Sequence, residues 1–117
     1  MWKVKLKMPN FKVYFYKTRR GDQLVKEFIK KQDESTYAKI LRSISLIRDN
    51  GPFLKPPYSK KITSNIYELR IQGKEAIRIF YVKFRGGYLL LHIFKKKSQK
   101  IPKRELKIAV DRAREIL

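Results

Sequence analysis

Ile66-Tyr67-Glu68-Leu69-Arg70-Ile71, Glu75-Ala76-Ile77-Arg78-Ile79-Phe80-Tyr81-Val82-Lys83-Phe84 and Tyr88-Leu89-Leu90-Leu91-His92-Ile93-Phe94-Lys95 are separated only by Gln72-Gly73-Lys74 and Arg85-Gly86-Gly87. β-Branched and aromatic residues dominate all three runs, and the breaks carry glycine, so the stretch reads as a three-stranded antiparallel meander. A first hairpin turning at Lys74 sets Tyr67 against Tyr81, Leu69 against Ile79, Arg70 against Arg78 and Ile71 against Ile77, each pair matched in kind. A two-residue loop at Gly86-Gly87 then sets Ile79 against Phe94, Tyr81 against His92 and Arg78 against Lys95. Side chains alternate between the faces of a sheet, so register decides what each face presents. One face is expected to carry Tyr67, Leu69, Ile71, Ile77, Ile79, Tyr81 and Phe94 to the core, with His92 partly buried beside them. The other face gathers Arg70, Arg78 and Lys95 in a row across three strands.

Working outward, Phe11 to Tyr16 reads as a first strand, closed by the turn-like Thr18-Arg19-Arg20-Gly21. Asp22 is placed to cap a helix carrying Leu24, Val25, Phe28 and Ile29, which ends at Lys30-Lys31, where cations suit the helix dipole. Tyr37, Ile40, Leu41, Ile44 and Ile47 then repeat at helical spacing after the cap candidates Asp33 and Ser35, and Gly51-Pro52 stops the pattern. Pro52 to Tyr58 reads as an extended surface loop leading to Ser59-Lys60-Lys61. After Ile101-Pro102, the series Leu106, Ala109, Val110, Ala113, Ile116 and Leu117 marks a C-terminal amphipathic helix. The order strand, helix, helix, three-stranded meander, helix specifies a single α+β domain over residues 1–117, with helices on one face of a small, mainly antiparallel sheet and the other face open.

Of the 117 residues, 30 are Lys or Arg and 10 are Asp or Glu, a formal net charge of +20. With 43% hydrophobic and 13% aromatic residues the chain buries enough apolar surface to fold, so the charge sits on a packed body rather than a disordered tail. No apolar run approaches the roughly 20 residues that span a bilayer. Met1-Trp2-Lys3-Val4-Lys5-Leu6-Lys7 alternates lysine with apolar residues instead of building a signal-peptide core, and the expectation is a cytoplasmic protein with no membrane role. With no cysteine and only His92, there is neither a disulfide framework nor a set of soft zinc ligands, and no metal or cofactor is expected. A polyanion is the expected partner.

Like charges opposed on a sheet repel, so the arginine row needs an anion, a carboxylate or solvent. Glu68, two residues from Arg70 on the same face, is placed to pair with one of the arginines. Beyond the last strand the chain adds Lys96, Lys97, Lys100, Lys103 and Arg104 before its next acid, Glu105. Such density suits neutralisation of phosphates. The row of Arg70, Arg78 and Lys95, with the basic run beside it, is therefore a candidate site for a phosphate-bearing polyanion. Phe80 and Tyr88 are candidates for stacking on unpaired bases, Phe80 being equally placed for cover by the C-terminal helix, whereas Tyr58, Tyr67 and Tyr81 read as packing residues.

Three segments, Tyr67-Glu68-Leu69-Arg70, Ile77-Arg78-Ile79-Phe80-Tyr81 and His92 to Pro102 with its Phe94-Lys95-Lys96-Lys97 run, resemble the phage-derived HigB branch of the RelE/ParE toxin superfamily. The resemblance spans roughly residues 11–117. It implies the toxin of a type II toxin–antitoxin pair, an endoribonuclease that cuts mRNA in the ribosomal A site and is neutralised by a cognate antitoxin, acidic or of helix-turn-helix type. It also implies an open, basic sheet face, with the family's arginines at Arg70 and Arg78 and its basic residues at Lys95, Lys96 and Lys97. On that resemblance Arg70, Arg78 and Lys95 are the candidate catalytic groups, the guanidinium groups clamping a scissile phosphate and the lysine moving a proton, and Lys60, Lys61, Lys96, Lys97, Lys100, Lys103 and Arg104 are the candidates for binding RNA or the ribosome. Two departures stand out. Where RelE-type members carry strand lysines this chain has Ile66 and Glu68, and their tyrosine after the last strand has no counterpart near Pro102. The superfamily also contains gyrase-directed toxins, and a non-catalytic RNA-binding module would use the same basic face.

Overall fold

β4 (Ile77–Phe84) lies at the centre of a five-stranded sheet ordered β1-β5-β4-β3-β2, flanked by β3 (Tyr67–Ile71) and β5 (Gly87–Lys95). The computed structural model describes residues 10–116, so the alternating Met1–Lys7 stretch and Leu117 lie outside the described residues. β1 (Val13–Phe15) runs parallel to β5 at one edge, and β2 (Ser59–Lys61) runs antiparallel to β3 at the other. α1 (Leu24–Lys30) and α2 (Glu34–Asn50) precede β2, and α3 (Lys103–Ile116) closes the described chain. None of these helices is long and apolar enough to cross a membrane.

The expected arrangement of all helices on one face is corrected. α1 and α2 cover Leu69, Ile71, Ile77, Ile79 and Tyr81, whereas α3 lays Ala109 and Ala113 on the opposite face, over Phe80, Val82, Leu89, Leu91 and Phe94. The cause is written in the two central strands. β4 and β5 are apolar on both faces, and a strand without polar alternation is stable only when both sides are covered. β2 is a further element where the sequence suggested only a loop. Its Ser-Lys-Lys has no strand signature, but polar, lysine-rich short strands are typical at a sheet edge.

Asp33 caps α2 as expected, its Oδ1 accepting the Thr36 amide at 2.8 Å. α1, in contrast, starts after Gln23 without a side-chain cap; Asp22, expected to cap it, lies one residue earlier in a turn, where its amide donates to the Thr18 hydroxyl at 3.0 Å and its carboxylate pairs with Arg20. Gly51 ends α2 at φ 53°, and a single 3₁₀ turn, Gly51–Phe53, opens the segment expected to be extended throughout.

The β3–β4 register places Tyr67, Leu69, Arg70 and Ile71 opposite Tyr81, Ile79, Arg78 and Ile77, as the sequence requires. The β4–β5 register differs. The hairpin loop is Arg85-Gly86, both at positive φ (47° and 74°), and Gly87 belongs to the strand, opposite Phe84. A side chain at Gly87 would put its Cβ 2.2 Å from the Lys12 carbonyl oxygen, so the close approach of the β1 backbone reserves this position for glycine. A β-bulge between the Tyr81–Leu90 and Phe80–His92 pairs then leaves Leu91 unpaired and reverses the alternation beyond it. Phe94 therefore joins the α3 face, His92 stands opposite Phe80 instead of Tyr81, and Lys95 stands opposite Ile77 instead of Arg78.

Candidate nucleic-acid interface

Arg70 and Arg78 face each other across β3 and β4, and Glu68 lies between them on the same face. Arg70 Nε donates to Glu68 Oε1 at 3.1 Å, and Arg78 Nε lies 3.7 Å from Glu68 Oε2. One carboxylate thus serves two guanidinium groups, where the sequence suggested that it would pair with one. Its side chain is 1% exposed, against 9% for Arg78 and 27% for Arg70. The arrangement leaves the Arg78 Nε and Glu68 Oε2 without a hydrogen-bond partner among the described residues. Burial draws the Arg78 pKa below its ordinary value, while Glu68 opposes the shift and Arg70 adds to it. An arginine nonetheless stays charged at any physiological pH. The trio of two cations and one anion carries a net positive charge held in a fixed frame, further tied by Arg78 Nη1 donating to the Ile77 carbonyl at 3.0 Å.

Beside Arg78 an open hollow of about 400 Å³ is lined by Ala76, Arg78, Lys96, Lys97, Ser98 and Gln99. The Lys96 amide donates to the Ala76 carbonyl at 2.7 Å, which extends the strand pairing past Lys95 and holds the start of the basic loop next to the buried arginine. Lys96 and Lys97 are thereby brought together with Arg78. Lys100, Lys103 and Arg104 continue along the exposed connection into the first turn of α3. Lys60 is exposed and pairs in register with Glu68, adding a cation at the β2 edge. Lys61, one residue on, turns to the other face, with its ammonium 6.0 Å from the Tyr67 ring.

Lys95 does not complete the expected row. The bulge at Leu91 puts it on the α1/α2 side of the sheet, where it forms an ion pair with Glu75 at 3.0 Å. His92 moves the opposite way, onto the α3 side. Its Nε2 lies 2.6 Å from Glu105 Oε1 and its ring stacks on Phe94. Burial lowers the His92 pKa from the ordinary value, Glu105 raises it in part, and Arg112 lowers it again.

Neither aromatic residue expected to meet bases is available, because Phe80 is fully buried under α3 and Tyr88 is buried on the other side. Tyr58, read as a packing residue, is 53% exposed, and its carbonyl accepts the Arg70 amide at 2.9 Å. Recognising it required the β2–β3 pairing, which Ser59-Lys60-Lys61 does not announce.

A family model described as "Phage derived protein Gp49-like (DUF891)" matches residues 27–114, a span that contains every one of the residues above. No curated protein matches the chain.

Proposed function

The chain belongs to the phage-derived Gp49-like family, a family of toxins from toxin–antitoxin pairs that implies a cognate antitoxin partner, and from that premise we propose that it is a ribosome-dependent endoribonuclease, cleaving translated mRNA in the A site. The observation that carries this reading is the guanidinium pair opposed across β3 and β4, with Lys96 and Lys97 around the adjoining hollow.

RNA holds its own nucleophile. The 2′-oxygen attacks the neighbouring phosphorus, the bond to the 5′-oxygen breaks, and a 2′,3′-cyclic phosphate and a 5′-hydroxyl result. The protein's part is to stabilise the charge that builds on the phosphoryl oxygens, which preorganised cations do without reorganising during the reaction. Glu68 fixes Arg70 and Arg78 before substrate arrives, and no metal ion enters this scheme. We assign charge stabilisation to these two arginines with Lys96 and Lys97, and positioning of the RNA to Lys60, Lys100, Lys103 and Arg104; Lys61, on the other face, takes no part. The 2′-hydroxyl gives its proton to water and the leaving 5′-oxygen takes one from water, while the ribosome aligns the 2′-hydroxyl for attack, which makes free RNA a poor substrate.

The test is primer extension on a defined mRNA in a purified translation system, with and without ribosomes, comparing the unaltered protein with Arg78→Ala. Cleavage that needs ribosomes and falls by about 10²- to 10³-fold in the variant is the expected result. A second reading, a non-catalytic RNA-binding module, is favoured by one observation: the titratable group expected beside Arg78, Lys95, is paired with Glu75 on the other face. mRNA left intact in every lane would overturn the nuclease, leaving that reading or a gyrase-directed toxin.

A further inference from the structure

We propose that Tyr58 is a stacking platform for an unpaired RNA base, seated beside the arginine pair; the inference rests on the reading of that face as an RNA site. Ser59 is buried and its Oγ lies 2.5 Å from the Tyr81 hydroxyl, on the side covered by α1 and α2. Alternation along β2 therefore projects Lys60 from the opposite side, the side of Glu68, Arg70 and Arg78, and the backbone pairing with β3 continues one residue back, to Tyr58 in the preceding turn. Lys60 pairs in register with Glu68, and Tyr58, one step beyond Ser59, stands against Arg70, whose amide donates to its carbonyl at 2.9 Å.

Two features fit this position to a base. The ring is 53% exposed, while Phe80, Phe94 and Tyr81 on the neighbouring strands are all buried, so Tyr58 is the aromatic surface that this part of the sheet offers to solvent. Its backbone is also fixed. The amides of Tyr58 and Ser59 both donate to the Lys55 carbonyl, at 3.0 and 3.2 Å, and Pro56 and Pro57 fill the turn between them. A ring held in place loses little freedom on stacking. With Arg70 on one side and Lys60 two residues along, a phosphate and its adjoining base are met together, which is the pairing that single-stranded nucleic acid selects. A duplex keeps its base faces covered and offers this ring nothing to stack on.

The probe is a single-stranded 2′-O-methyl RNA of roughly eight nucleotides carrying one 2-aminopurine, whose fluorescence is quenched by stacking and which the protein has no 2′-hydroxyl to cleave. The unaltered protein and Tyr58→Phe should bind it and quench it. Tyr58→Ala should bind about 5- to 100-fold more weakly, lose the quench, and keep the same dependence on salt, because no charge has been removed. Arg70→Ala should instead reduce the salt slope. Tyr37→Ala, which removes a tyrosine of similar exposure from α2 on the other side of the sheet, should change nothing. Tyr58→Leu keeps apolar bulk and serves if circular dichroism shows that the alanine variant is unfolded. Full affinity and quench in Tyr58→Ala or Tyr58→Leu would overturn the role of Tyr58 and leave the RNA reading standing. No binding by the unaltered protein would overturn the platform for free RNA, and the RNA reading falls with it if mRNA also stays uncut in the primer-extension test.

Discussion

Removing the Glu68 carboxylate should destabilise the protein far more than a change at one strand residue ordinarily does. Glu68→Ala leaves Arg78, 9% exposed, as a charge facing Arg70 with no counterion. Breaking a buried ion pair from one side costs about 3 to 5 kcal/mol. Arg70, 27% exposed, can swing toward water, so the lower figure of about 3 kcal/mol applies. For a chain of 117 residues, an unfolding entropy of about 2.1 cal/mol/K per residue is roughly 0.25 kcal/mol/K, and the loss becomes a fall in Tm of about 12 °C. Thermal melts followed by circular dichroism, with urea titrations to show an unchanged slope, measure it. The double variant Glu68→Leu/Arg78→Met removes both charges and should recover most of the loss, to within about 1 kcal/mol of the unaltered protein. A Tm change below about 4 °C in Glu68→Ala, or a double variant no better than the single one, would refute the view that Glu68 is held there to balance two arginines.

Gly87→Ala should lower stability by about 2 kcal/mol or more, read from the urea midpoint, because its Cβ would sit 2.2 Å from the Lys12 carbonyl oxygen and only a shift of the backbone could relieve the clash. Ala109→Leu, at a fully buried contact between α3 and the sheet, should cost about 2 kcal/mol, and a neutral result would mean that α3 does not lie against that face. Stability should also fall as the pH drops below roughly 6.5: the unfolded chain takes up a proton on His92 at the ordinary histidine pKa, while the folded one, with its pKa lowered by burial, resists until the pH is lower still. The contribution is present above that pH and lost beneath it. His92→Gln should flatten the slope between about pH 7.5 and 5, and an unaltered slope would place the titration elsewhere.

The hairpin between β3 and β4 was legible because only one register matches apolar with apolar and arginine with arginine, and that register set Arg70 against Arg78 with Glu68 beside them. The next hairpin was not. Leu89-Leu90-Leu91 suits either face, so nothing in the sequence marks Leu91 as the extra residue of a bulge, and the faces of His92, Phe94 and Lys95 were exchanged with it. Coverage of both sides of the sheet was written in the apolar runs Ile79 to Val82 of β4 and Tyr88 to Leu91 of β5, but alternation in β3, where Glu68 and Arg70 interrupt the pattern, pointed to an open face. The polar edge strand carries no pattern at all, and Tyr58 could be assigned only once β2 was seen to pair with β3.

The parallel contact of β1 with β5 has a consequence for how the molecule comes into being. Val13 pairs with Tyr88, and the Tyr16 hydroxyl donates to Glu115 across 99 positions of sequence, so the first strand finds its partners only once β5 and α3 have been made. Contacts of such long sequence separation require closure of a large loop before they contribute anything, which slows folding. The helix that covers Phe80, Leu91 and Phe94 also arrives last. During synthesis the early segments therefore wait, incomplete, and a message cut short before the last helix yields a chain with one sheet face bare.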